Sequence, residues 1–215
     1  MKHLFNNSVL GIFATCIIML VSCENKENID FELDKIEVVN REISNKAELN
    51  SGILSLNAQK GDGLAILKHV EFESGTISID FKGEDVAGKS FVGLAFNIQN
   101  DSTYEAVYFR PFNFESLKKL SREHSIQYIY HPDFPWKTLR TEKEGVFESE
   151  FINPPNPDDW FSIELTINPK EVIVTDAPSG EILMKVERLT NHVSNSIALW
   201  TGHNSKGSFR NLKIH

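Results

Sequence analysis

Arg110 and Gln127 each stand in an apolar alternating run, and a strand-borne guanidinium or carboxamide in that setting needs a polar partner. Tyr108, Asn113, His131, Trp136 and Arg140 lie close to them in the same stretch of chain, residues 104–140. Planar aromatic rings stack on the apolar faces of sugar rings, while Arg, Asn and Gln offer the paired donors and acceptors that hydroxyl groups require. The seven side chains therefore form a candidate saccharide-facing surface. They could equally serve the scaffold, with Arg110, Asn113 and Gln127 satisfying loop backbone and Trp136 plugging one end of the domain. Trp200, beside Thr201, Gly202 and His203, reads as core rather than site.

Hydrolysing a glycosidic bond with two carboxyl groups requires them to face each other, ~5.5 Å apart in one class of enzyme and ~6.5–9.5 Å in the other. Glu27, Asp30 and Glu32 come nearest to such a set, but their spacing of three then two puts them on different faces of any strand. Among single groups, Glu105, Glu148, Glu150 and His131 remain candidates for proton transfer. His69, His124, His131, His192, His203 and His215 are scattered without the spacing that aims two imidazoles at one ion. No metal centre or cofactor is expected. Asp101, Asp158 and Asp159 lie in loops and could help hold a structural calcium ion, although forming turns is their plainer role.

The chain begins with Lys2 and an apolar stretch over residues 9–21, too short to span a bilayer as a permanent helix. It runs into Leu20-Val21-Ser22-Cys23, the order that lipoprotein signal peptidase needs. Residues 1–22 are therefore expected to be an export signal, Cys23 the lipidated first residue of the mature chain, and residues 23–34 a polar tether. Two acyl signals on one residue hold a protein to a membrane stably. Cys16 leaves with the signal and Cys23 is blocked, so no thiol remains for a disulfide. A net charge of −8 disfavours nucleic acid as a partner, since phosphate binding needs a basic footprint.

The elements that must position these residues are strands. In residues 75–82, Ile77, Ile79 and Phe81 alternate with Ser78 and Asp80, and in residues 91–99 Val92, Leu94, Phe96 and Ile98 share a face. Residues 104–110, 125–130, 160–167, 171–176, 182–186, 197–201 and 208–214 repeat the period of two, separated by turn-forming residues. On residues 104–110, Tyr104, Ala106, Tyr108 and Arg110 form a polar-aromatic face while Val107 and Phe109 serve the core. Only residues 114–123 read as helix. The pattern predicts one all-β domain over residues 35–215, an antiparallel two-sheet jelly-roll sandwich.

Gly93-Leu94-Ala95-Phe96, residues 104–114 with Arg110-Pro111-Phe112-Asn113-Phe114, Ser125-Ile126-Gln127-Tyr128-Ile129, Trp136 and Leu139-Arg140 form a set of segments. Together they resemble exported bacterial domains of the concanavalin A-like lectin/glucanase superfamily. Trp160-Phe161, Ala198-Leu199-Trp200-Thr201-Gly202 and the closing run 207–214 look like the last third of the related 3-keto-disaccharide hydrolase domains. The resemblance implies the sandwich fold and a sugar-related role, on a fold that hosts lectins, glycosidases, lyases and adhesion modules alike. The expected protein is a lipid-anchored component of the bacterial cell envelope that binds or processes a glycan or sugar derivative. A hydrolase of the 3-keto-disaccharide type and a structural or adhesive lipoprotein without small ligand are the alternatives.

Overall fold

A computed structural model describes residues 27–215, so the expected export signal, residues 1–22, and the expected lipidation site Cys23 lie outside the described residues. Fourteen strands are formed: β1 (Glu27–Asn28), β2 (Ile36–Val39), β3 (Leu54–Leu56), β4 (Gly63–Leu67), β5 (Gly75–Lys82), β6 (Val92–Asn100), β7 (Thr103–Phe109), β8 (Ile126–His131), β9 (Glu148–Ser149), β10 (Phe161–Ile167), β11 (Glu171–Asp176), β12 (Ile182–Glu187), β13 (Ile197–Thr201) and β14 (Gly207–Ile214). Two short α-helices among the described residues, α1 (Lys119–Arg122) and α2 (Trp136–Glu142), interrupt them. The rear sheet has the order β1-β14-β5-β10-β11-β12, with β3 also on β14, and the front sheet the order β2-β4-β13-β6-β7-β8-β9. Every pairing is antiparallel, as a jelly-roll sandwich requires.

Period-two patterning produces the rear sheet directly. Ile77, Ile79 and Phe81 of β5 and Phe161, Ile163, Leu165 and Ile167 of β10 point inward, and their polar neighbours lie on the outer face, partly exposed except for Asp80, which Ser162, Arg210 and Asn211 cover. Phe81, Phe109, Phe161 and Phe209 meet between the sheets, with ring centroids 5.1 to 5.9 Å apart in tilted and edge-on pairs. Each such ring contributes about 1.5–3 kcal/mol by leaving water. The front sheet differs because β6, β7 and β8 are buried on both faces over most of their length. The chain after β7 and the helix α2 cover part of its outer side, and the space left between them is the groove described below.

Two sequence expectations change. Residues 27–34, expected to belong to a polar tether, join the fold instead, since β1 pairs Glu27 with Ile214 and Asn28 with Lys213, and Phe31 is buried in the core. Residues 114–123 form only the single turn α1, preceded by a 3-10 turn at Pro111–Asn113. The second helix, α2, follows Pro135 and buries Leu139, which sets Trp136 and Arg140 one turn apart on the same side.

Candidate functional site

Antiparallel partners directly opposite each other share a face, and one such row crosses the whole front sheet: Val39, Leu64, Trp200, Gly93, Tyr108, Gln127 and Glu148. At its centre Gly93 has no side chain. A Cβ there would come within 2.6 Å of the Tyr108 Cα, so glycine lets β6 and β7 approach and leaves room above them. The rings of Trp200 and Tyr108 close over that gap at 4.8 Å. They floor a groove of about 420 Å³ with Ile129, while Phe91, Phe112 and Trp136 add apolar wall and Asp62, Asn113, His124, His131, Arg140 and His203 bring polar groups.

One end of the groove is cationic. Arg110, 5% exposed, donates through Nη1 to the His124 carbonyl at 2.6 Å and to Glu148 Oε1 at 3.2 Å. Its Nη2 donates to the Tyr108 hydroxyl at 2.8 Å and to Gln127 Oε1 at 3.1 Å. Glu148 accepts from Arg140 at both oxygens, through Nε at 3.0 Å and through Nη2. The Gln127 amide donates to the carbonyls of Tyr128 and Phe147. Burial pushes the Tyr108 hydroxyl up to about 12, so it stays protonated. Burial also lowers the pKa of His124, against the pull of Glu148; its Nδ1 lies 3.0 Å from Glu148 Oε2 but off the line of a hydrogen bond.

The other end is a relay. Trp200 Nε1 donates to the Tyr104 hydroxyl, which donates to Asp62 Oδ2, each at 3.2 Å, and His131 Nε2 sits 3.6 Å from that oxygen. Burial acts on both titratable members: it raises the Asp62 carboxyl above its usual range and lowers His131, each effect partly offset by the opposite charge of the other. The amide of Gly61 donates to His203 Nδ1 at 3.0 Å, which leaves the proton of the neutral ring on Nε2. Arg41 holds both loops from behind, donating to the carbonyls of Gly61, Thr201 and Gly202. Gly63 is what lets it pass, since a Cβ there would meet the Arg41 side chain at 2.2 Å.

Solved structures of similar shape exist. The carbohydrate-binding module CBM66 from Bacillus subtilis superposes with a TM-score of 0.58 at 10% identity, over 84% of this chain and 96% of the module. A Bacillus subtilis protein described as having a galectin-like fold gives 0.57 at 13% identity, over 90% and 95%. The fold is that of the concanavalin A-like sandwiches. A β-1,3-1,4-glucanase (lichenase) from a mouse hindgut metagenome shares it as well, with a TM-score of 0.52 at 10% identity over 88% and 96%. No family model matches the sequence, and no curated protein does.

Within this concanavalin A-like sandwich the sequence candidates separate into three groups. Tyr108, Arg110, Asn113, His131, Trp136 and Arg140 all line the groove. Gln127 is fully buried beneath it, with its amide committed to backbone and Arg110, so it braces the floor and does not face a ligand. Among the proton-transfer candidates, Glu148 is likewise enclosed by its arginines, and Glu150 pairs with Arg122 away from the lining. Glu105 points to the opposite, inter-sheet face, where Arg188, Tyr128 and Asn97 all donate to it. That leaves His131 in the groove. Asp101 lies in the turn between β6 and β7, whereas Asp158 accepts the Asp85 amide near the other end of β6, so the aspartates suggested for calcium do not converge. No group of three or more His, Cys, Asp or Glu is placed to hold a metal ion among the described residues.

Asp62, Trp200, His203 and His124 also line the groove. Trp200, read from the sequence as core, is nearly fully buried but presents its ring to the groove floor, because its partner Gly93 on the neighbouring strand has no side chain. His124 and His203 stand in the sequence only as scattered histidines, and Asp62 carries no signal at all, since these loop residues have no local spacing that marks them.

Proposed function

We propose that the protein binds carbohydrate in the front-sheet groove, and does so at the bacterial envelope as a lipoprotein attached through Cys23. One observation carries the binding: an aromatic floor of Trp200 and Tyr108, with Trp136 exposed at its rim, is ringed by donors and acceptors suited to hydroxyl groups. The likeness in shape to a carbohydrate-binding module supports it. Attachment rests on the motif at residues 20–23. A glycan array with the soluble domain should return a ligand, and Trp136→Ala should weaken it by ~1–3 kcal/mol while the melting temperature holds. Failure of every glycan to bind would overturn the reading. Metabolic labelling with a fatty-acid probe should tag the wild type and not Cys23→Ala.

A hydrolytic role, of the 3-keto-disaccharide type, is favoured by the Asp62–His131 pair, two groups of opposed titration at one end of the groove. Incubation of bound sugar or of a 3-keto-disaccharide with wild type, Asp62→Asn and His131→Asn tests it. Turnover by the wild type that either substitution abolishes, with binding retained, would favour the enzyme.

A further inference from the structure

The charge at the Glu148 end of the groove does not cancel. Arg110 and Arg140 bring two permanent positive charges to one carboxylate, and His124, its pKa lowered by burial, is neutral near pH 7. Glu148 has only 2% of its side chain exposed and both oxygens engaged, so it reaches no ligand. Arg110 directs both Nη nitrogens to protein acceptors. Arg140 does not: its Nε and Nη2 bond Glu148, its Nη1 has no partner among the described residues, and 32% of its side chain is exposed on the groove. Its guanidinium lies 4.9 Å from the centre of the Trp136 ring, which fixes the plane of the group beside the exposed aromatic rim. The Lys and Arg ion pairs closest to it in sequence, Arg122 with Glu150 and Lys119 with Glu123, are internally balanced.

We infer that the ligand is an acidic saccharide, a sugar bearing a carboxylate such as a uronic acid, seated with its ring against Trp136 and its carboxylate on Arg140. This rests on the carbohydrate reading of the groove and names the class of sugar within it. Geometry also gives the ligand a direction. Asp62 at the far end repels a second anion, so the charged group belongs at the Arg140 end and hydroxyl groups at the His203 and Asp62 end. The net negative charge of the whole chain does not oppose this, because exposed charges more than about 10 Å away are screened at ~0.1 M salt.

The test is calorimetric titration of the soluble domain with oligomers of glucuronic, galacturonic, mannuronic and guluronic acid, each beside its carboxyl-reduced neutral counterpart. At least one acidic oligomer should bind ten-fold or more tightly than its neutral partner, and the preference should shrink several-fold between 50 and 300 mM sodium chloride. Arg140→Gln should erase the preference, and Glu148→Gln, which frees a second positive charge, should enlarge it. The salt series on the wild type decides the matter if either variant fails to fold. Equal or tighter binding of the neutral oligomers, or of neutral glycans alone on an array, would overturn the acidic assignment and leave the carbohydrate reading standing. Absence of binding to any glycan, acidic or neutral, would overturn both.

Discussion

Trp200 Nε1 donates its hydrogen to the hydroxyl of Tyr104 across 3.2 Å, and the same hydroxyl passes its own hydrogen to Asp62. One phenol therefore satisfies a buried indole and steadies a half-buried carboxylate. Tyr104→Phe should leave both without it and cost ~1–3 kcal/mol. In thermal denaturation this is a fall of roughly 2–12 °C for a domain of this size. An unchanged midpoint would mean that the indole finds another acceptor.

Glu148→Ala should be among the most damaging single substitutions. It strands Arg110, which is nearly fully buried, and removes the only carboxylate partner of Arg140 among the described residues. Breaking a buried pair from one side costs ~3–5 kcal/mol. Glu150→Ala, which breaks the part-exposed pair with Arg122, should cost no more than ~1 kcal/mol. Chemical denaturation of the two variants side by side checks the contrast, and comparable losses would refute it.

Asp62→Asn should lower the pKa of His131 further. Burial holds the imidazole below its ordinary value, and the Asp62 charge is what partly lifts it. Without that charge the folded state binds a proton on His131 less readily than the unfolded chain. The part of stability linked to His131 is present above the unfolded value near ~6.5 and is lost as pH falls through that value towards the folded one, more so in the variant. NMR titration of the His131 ring in both proteins measures the shift, and an unchanged or higher value in the variant would show that Asp62 does not face it as a counter-charge.

A fragment beginning at Glu27 should melt above one beginning at Asp34, both without response to reducing agent. The longer form keeps β1 on β14 and Phe31 in the core. Burying one phenylalanine contributes about 1.5–3 kcal/mol, which corresponds to roughly 3–12 °C here. Equal melting curves would mean that the first seven residues of the sandwich are ornamental.

The sandwich was legible because β5 and β10 each have one wet face, and a strand of that kind writes its orientation as alternation. The split of β7 into a face with Tyr104, Tyr108 and Arg110 and a face with Val107 and Phe109 was legible for the same reason. The role of Gln127 was not, since β8 is buried on both sides and a polar residue there looks the same whether it meets a ligand or another protein group. Nor was that of Glu105, whose face follows from alternation but whose partner Arg188 lies 83 residues away. The helix carrying Trp136 and Arg140 did leave a trace, in the spacing of Trp136, Leu139 and Arg140, but seven residues are too few for a helical period to stand out. Phe31, one ring in a charged segment, gave no pattern at all.

The pairing of β1 with the end of β14 has a mechanical meaning. If Cys23 carries the acyl chains proposed above, the four residues from it to Glu27 would span at most about 14 Å. A leash that short at the margin of the rear sheet would confine the domain to a shell of one protein diameter above the lipid. Within such a shell, capture of a glycan polymer would be governed by effective concentration instead of bulk diffusion, so that even a weak single-site affinity would suffice to retain a chain grasped by several neighbouring copies at once.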